Sequence, residues 1–318
     1  MLNNDFNTFS KIEEKFWQNQ ENIEITLYQT KKGNYLKAYY FQGISNEKAL
    51  IIGGMHGSEL AAVEVAENLI TQLQKAQNKP YFSVMILPRL FPDNVAQGEQ
   101  AMVEGKPPTE DIGRITDGQA DPNRQFPKAG TDFDENKPFD SENREIEREN
   151  QILLKIIQTF QPSRIANLHS IHKANNAGIY ADPPTDIQGI ATGFENDAKL
   201  ALNMANTAKN QNVRVEGNSR STKTNEKDRN FENAIYPFDP EVAEKGKPQI
   251  RSTQANNGTS LGTWGATATQ TRNAITIITV EVATSYRIND MPKGKQQEQR
   301  KAEILAHVNI LKDIFLQL

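Results

Sequence analysis

His56 and Glu59 stand three positions apart, and His169 and Glu281 lie far downstream, each at or just past the end of a short apolar run. An imidazole and a carboxylate at this spacing across a strand-to-helix turn converge on one ion, and a histidine from a second strand supplies a third ligand. Two histidines and a glutamate, with one coordination position left for water or substrate, form the donor set of a catalytic zinc ion, although such ligands also accept other divalent ions. A lone His-x-x-Glu is often an exposed ion pair. Here it follows the buried run Ala49-Leu50-Ile51-Ile52-Gly53-Gly54, and His169 follows Ile165-Ala166-Asn167-Leu168 in the same way. His172, three residues past His169, is the alternative ligand, and His307 reads as structural.

Glu281 interrupts a β-branched run, 275–282, where a carboxylate must be paired or functional to offset its desolvation. Beside a water activated by zinc it can serve as general base and then as acid. The structural reading pairs it with Arg272 or another arginine. Asp121-Pro122-Asn123-Arg124-Gln125-Phe126-Pro127 joins an amide donor to a guanidinium fork, which suits capture of a substrate carboxylate by Asn123 and Arg124. Arg114, nine residues before Asn123, is a fixed cation for a developing oxyanion.

These residues need strands to carry them and helices to cover the strands. Periodicity and β-branched content predict strands at 23–29, 35–41, 49–54, 82–87, 165–168, 178–181 and 275–282. Helices are predicted at 59–73, 142–160 and 196–210, with a last one carrying Ile304, Val308, Leu311, Phe315 and Leu318. About fifty irregular residues follow Pro88, and 212–257 is polar and without clear period. Strands alternating with helices predict a three-layer α/β/α sandwich on a central mixed, mostly parallel sheet, whose sites form beyond the strands' carboxyl ends. No repeat or linker divides the chain, so 1–318 reads as one catalytic domain.

The sequence has 318 residues, with 36 Lys plus Arg against 40 Asp plus Glu and no long basic block, which argues against nucleic acid as a partner. The absence of cysteine excludes disulfides, thiolate zinc sites, iron–sulfur clusters and cysteine nucleophiles. No run approaches the roughly 20 apolar residues of a membrane span. The first residues have no signal-peptide pattern, so the expectation is cytoplasmic, or periplasmic or secreted if a leader has been removed.

Taken together, His56-x-x-Glu59, Asp121-Pro122-Asn123-Arg124, His169-Ser170 and Glu281 resemble, in order and context, the zinc metallocarboxypeptidase family of the carboxypeptidase A and B type, which includes bacterial murein-peptide amidase-like members. Arg114 and the stretch 121–127 are similar to the family's Arg followed by Asp-x-Asn-Arg-Asn-Phe. Asn257-Gly258-Thr259-Ser260-Leu261-Gly262-Thr263-Trp264 is similar to its Gly-Gly-Ser-x-Asp-Trp loop. The matches run from about residue 48 to 282, and the resemblance implies a zinc-dependent exopeptidase-like fold. It also implies one Zn2+ on His56, Glu59 and His169, Glu281 as base, Arg114 on the oxyanion, and Asn123 with Arg124 on the terminal carboxylate of a peptide or murein peptide.

Phe91-Pro92-Asp93-Asn94 stands in place of the family's Asn-Pro-Asp-Gly turn, and Gln254 falls near its substrate-closing Tyr. No Asp or Glu lies between Gln254 and Trp264, which disfavours a preference for C-terminal Lys or Arg. Arg220, Lys223, Arg251 and Arg272 would suit an acidic or diaminopimelate-containing substrate instead. Two other functions compete. Aspartoacylase and succinylglutamate desuccinylase-like deacylases share a similar ligand pattern but usually append a β-rich domain, whereas only 37 residues follow Glu281. A peptide-binding module without turnover would not need Glu281.

Overall fold

A computed structural model describes residues 22–106, 112–117, 120–171, 177–211, 213, 258–283 and 295–318. Within it a seven-stranded sheet has the order β1-β2-β4-β3-β5-β7-β6. The strands are β1 Asn22–Gln29, β2 Tyr35–Phe41, β3 Lys48–Ile52, β4 Ser83–Leu87, β5 Arg164–Ile171, β6 Gly178–Ala181 and β7 Thr276–Ala283. The four central neighbours, β4, β3, β5 and β7, run parallel, while β1, β2 and β6 pair antiparallel at the flanks. Parallel strands buried on both faces need apolar residues throughout, and β3, β4 and β7 supply them.

The helices are α1 Leu60–Lys75, α2 Pro92–Val103, α3 Arg148–Phe160, α4 Glu195–Asn210, α5 Leu261–Gly265 and α6 Lys295–Ile310, the last running on as a π turn through Leu311–Phe315. One face of the sheet packs on α1, α4 and α6 through Ala62, Leu69, Ala201, Met204, Val308 and Phe315. The other packs on α3 and α5 through Ile152, Leu153, Ile157, Leu261 and Trp264. Helices on both faces give the α/β/α layering. Among the described residues no helix is long and apolar enough to cross a membrane.

Two local readings differ from the sequence expectation. The stretch after Pro88 is not all irregular, because Pro92, with its φ already set for a helix, starts α2. This helix buries few large apolar residues, chiefly Val95, so its period is faint. The next helix begins at Arg148 rather than 142. The Asp140 carboxylate accepts the backbone N–H groups of Glu142 and Arg144 and pairs with the Arg144 side chain, which holds 140–144 in a turn.

The order β4-β3-β5 matters most for function. From β3 the chain crosses by α1 on one face to β4, and returns by α3 on the opposite face to β5. The strand order therefore reverses at the β3–β5 pair, which opens a crevice beyond their carboxyl ends.

Candidate active site

The loop leaving β3 carries His56 into that crevice and leads into α1. Gly57 is packed so tightly that a Cβ there would lie 1.9 Å from the Asn94 carbonyl oxygen. Only glycine lets this loop rest on α2, and the contact fixes His56 and Glu59 on either side of it. Glu59 is the residue before α1, so its carboxylate sits at the positive end of the helix dipole. His169 comes from β5, and its register partner on β7 is Glu281.

Glu59 joins the two histidines. Its Oε1 lies 2.9 Å from His56 Nδ1, and its Oε2 lies 2.8 Å from His169 Nδ1 and accepts the Ser170 N–H at 3.2 Å. Ligand atoms of His56, Glu59 and His169 all fall within 4.8 Å of one another. Two imidazoles aimed at one carboxylate share protons with it or share a cation with it. The outer contacts fit the cation: Asp121 Oδ1 meets His56 Nε2 at 2.9 Å, so with a cation in place the Nε2 proton has an acceptor and Nδ1 is the nitrogen left to face the ion. This carboxylate–histidine arrangement is the usual support of a metal-bound imidazole.

The electrostatics agree with that donor set. Burial works against a charge on His56, yet the Glu59 charge and hydrogen bonds to Asp121 and Glu59 outweigh it and push its pKa up to about 9. Burial likewise opposes ionisation of Glu59, but the two histidines hold it well below the usual carboxylate range. Asp121 is lowered as well: its hydrogen bond to His56 and the nearby Arg114 charge overcome its burial. This is a buried, strongly polarised cluster of opposite charges, ready for a cation.

The seven residues given metal, catalytic or carboxylate-binding roles from the sequence, His56, Glu59, Arg114, Asn123, Arg124, His169 and Glu281, all line one cavity of about 310 Å³. Arg114 donates to Glu59 Oε1 at 3.2 Å and to Asp121 Oδ2 at 2.9 Å. Asn123 Oδ1 accepts the Leu261 N–H at 3.1 Å, and its Nδ2 stands 3.5 Å from His169 Nε2. Arg124 donates to the Asn123 carbonyl at 2.7 Å. Glu281 is 9% exposed on the cavity wall.

Arg272 is engaged elsewhere. Its guanidinium lies over the Trp264 ring, 4.4 Å from the centroid, and donates to the carbonyls of Gly265, Trp264, Thr267 and Asn273. It is thus a clamp for the turn after α5 and neither a partner for Glu281 nor a substrate cation. His307 is buried in α6, where its Nδ1 meets the Glu303 carbonyl at 2.7 Å. His172, Arg220, Lys223, Arg251 and Gln254 lie outside the described residues.

Sequence reasoning did not assign Asp121 a role, although it opens the 121–127 motif and a carboxylate two residues before a buried amide was a usable signal. It also passed over Asn167, Asp182, Thr279, Ser260 and Thr263, which line the cavity too.

A family model described as zinc carboxypeptidase, peptidase M14, matches residues 25–247, so the match ends before Glu281. No curated protein matches the chain. Among solved structures, a proposed metallopeptidase from Shewanella amazonensis superposes with a TM-score of 0.51 at 16% identity, over 96% of this chain and 92% of that one. A metallo-carboxypeptidase from Pseudomonas aeruginosa, in complex with (2-guanidinoethylmercapto)succinic acid, gives 0.50 at 13% identity over 91% and 64%. Bovine thrombin-activatable fibrinolysis inhibitor, in complex with tick carboxypeptidase inhibitor, gives 0.50 at 11% over 98% and 96%. At these identities the likeness establishes the fold.

Proposed function

The chain belongs to the zinc carboxypeptidase family, and from that premise and the geometry of the crevice we propose that it removes the C-terminal residue of a peptide by hydrolysis, with Glu281 as the base. The observation that carries this reading is the convergence of His56, Glu59 and His169 within 4.8 Å, on the same cavity as Glu281 and Arg124. His56, Glu59 and His169 would hold the ion. When bound, zinc supplies the Lewis acidity that polarises a carbonyl and eases deprotonation of water.

The protein's own groups do the rest. Arg124 and the Asn123 amide engage the substrate's terminal carboxylate, which sets the last peptide bond beside Glu281. A Glu281 carboxylate oxygen takes a proton from the attacking water as its oxygen bonds to the carbonyl carbon, and Arg114 lends positive charge to the developing oxyanion. Glu281 then returns the proton to the leaving nitrogen as the carbon–nitrogen bond breaks. Asp121 keeps the His56 ring in place throughout.

Mass spectrometry of a mixed peptide pool, including murein peptides and N-acyl amino acids, tests the proposal. Zinc-loaded protein is expected to shorten peptides by single C-terminal residues. Glu281→Gln should slow this by about 10²–10⁴-fold, the range for losing a general acid–base group, while zinc stays bound. Cleavage of N-acyl amino acids alone would replace this reading with a deacylase.

A further inference from the structure

Arg114 belongs to no helix or strand, so something else must hold it. Its guanidinium reaches Glu59 and Asp121, but these contacts fix only the tip of a long side chain. The backbone at 113–115 is held by a residue outside the cavity. Asn94, the third residue of α2 and 7% exposed, donates through Nδ2 to the Gly113 carbonyl at 3.1 Å and to the Ile115 carbonyl at 3.1 Å. These two carbonyls straddle Arg114. The reverse orientation of the amide would set its oxygen against both of them, so the network assigns the donor.

The Gly113 carbonyl has a second donor. The Gly57 N–H reaches it at 2.7 Å, so the loop of His56 and Glu59 and the loop of Arg114 meet on one oxygen. Backbone packing locks the same three segments together. The Asn94 carbonyl oxygen lies against both Gly57 and Gly113, where a Cβ would stand 1.9 Å and 2.5 Å away. Gly113 also has a φ of +77°, so space and conformation both reserve this turn for glycine. Asn94 itself does not line the cavity. The clamp needs a side chain at a position where the family's Asn-Pro-Asp-Gly turn has none.

Stabilising charge as it develops requires donors that are fixed before the reaction begins. A cation on a loop meets that requirement only if its backbone is anchored. Resting on the carboxypeptidase reading above, in which Arg114 meets the developing oxyanion, we infer that Asn94 is a positioning residue for this reaction: its amide fixes the backbone on either side of Arg114 relative to the loop of His56 and Glu59. It acts on kcat and touches neither substrate nor metal.

Steady-state kinetics of the zinc-loaded chain on a peptide it cleaves, with Asn94→Ala, Arg114→Ala and the double variant, tests this. Asn94→Ala should lower kcat by about 10–100-fold, the scale of a misplacement near 1 Å, with KM and zinc content close to the parent's. Arg114→Ala should cost about 10²–10³-fold, and adding Asn94→Ala to it should cost almost nothing more, because the amide then has no guanidinium to place. Equal fold-losses in both backgrounds, or no loss from Asn94→Ala alone, overturn the inference and leave the carboxypeptidase reading intact. Full activity in Arg114→Ala removes the oxyanion role on which the inference rests, and the inference with it. Asn94→Ser keeps one donor, should lose less than the alanine variant, and carries the same cycle if that variant does not fold. If the parent cleaves nothing, the carboxypeptidase reading falls and hydrogen exchange judges the clamp. Asn94→Ala should then speed exchange of the Gly57 amide by about tenfold or more while the amides of β3 keep their rates. Unchanged Gly57 exchange would overturn the clamp.

Discussion

Two buried histidine environments in this molecule differ in what surrounds them. In the crevice, His56 meets the carboxylates of Glu59 and Asp121, and its pKa rises to about 9 in spite of burial. In α6, His307 is equally enclosed, but its Nδ1 finds only the Glu303 carbonyl, its Nε2 has no hydrogen-bond partner among the described residues, and burial pushes its pKa down. Burial alone leaves an imidazole neutral. Oriented carboxylates are what turn a buried imidazole into a site for positive charge.

The strongest test of that contrast is zinc content. His56→Ala or His169→Ala should abolish retention of zinc through dialysis, because losing a ligand costs more than the about 10–100-fold in affinity that losing an outer-shell partner costs. His307→Gln should keep one ion per chain by elemental analysis; equal losses in all three variants would break the comparison. Asp121→Asn sharpens it, since the ligands remain and only the hold on His56 Nε2 weakens. Competition with a chelator should then show affinity reduced by about 10–100-fold.

The smallest effect concerns His307 itself. Its folded pKa is depressed, so the unfolded chain binds the proton more readily; its contribution to stability is full above the ordinary value near 6.5 and is lost as pH falls towards the folded value. Between pH 7 and pH 5 the zinc-loaded parent should lose about 2–4 °C of Tm beyond what His307→Gln loses, equivalent to about 1 kcal/mol. Parallel Tm curves for the two proteins would remove His307 as a titrating group.

The candidate ligand set was readable in the sequence because its members lie at or just past short apolar runs bounded by turn signals, which read as buried strands, as with 49–54 before His56. Glu281 was readable for the opposite reason, being a charge where only apolar residues belong. The helix α2 was not, since Pro92 and close backbone packing define it more than an apolar stripe does. Asp182 was hidden for a topological reason. Searching beyond the carboxyl ends of parallel strands finds groups at the rim of the sheet, but β6 runs the other way and delivers its next residue to the depth of Ile277.

The pairing of His169 with Glu281 across β5 and β7 has an architectural consequence. The gap between the strand positions of His169 and Glu281, the proposed ligand and the proposed base, is set by one inter-strand spacing of about 4.8 Å, a dimension of the peptide ladder that no side chain has to establish. Lateral substitution in the apolar parts of the two strands can thus be extensive without moving the reacting atoms. Loss or gain of a single residue within either strand is different, because it would turn His169 or Glu281 to the opposite face of the sheet and separate them by its full thickness. The chemistry is tolerant of what the strands are made of and intolerant of how many residues they count.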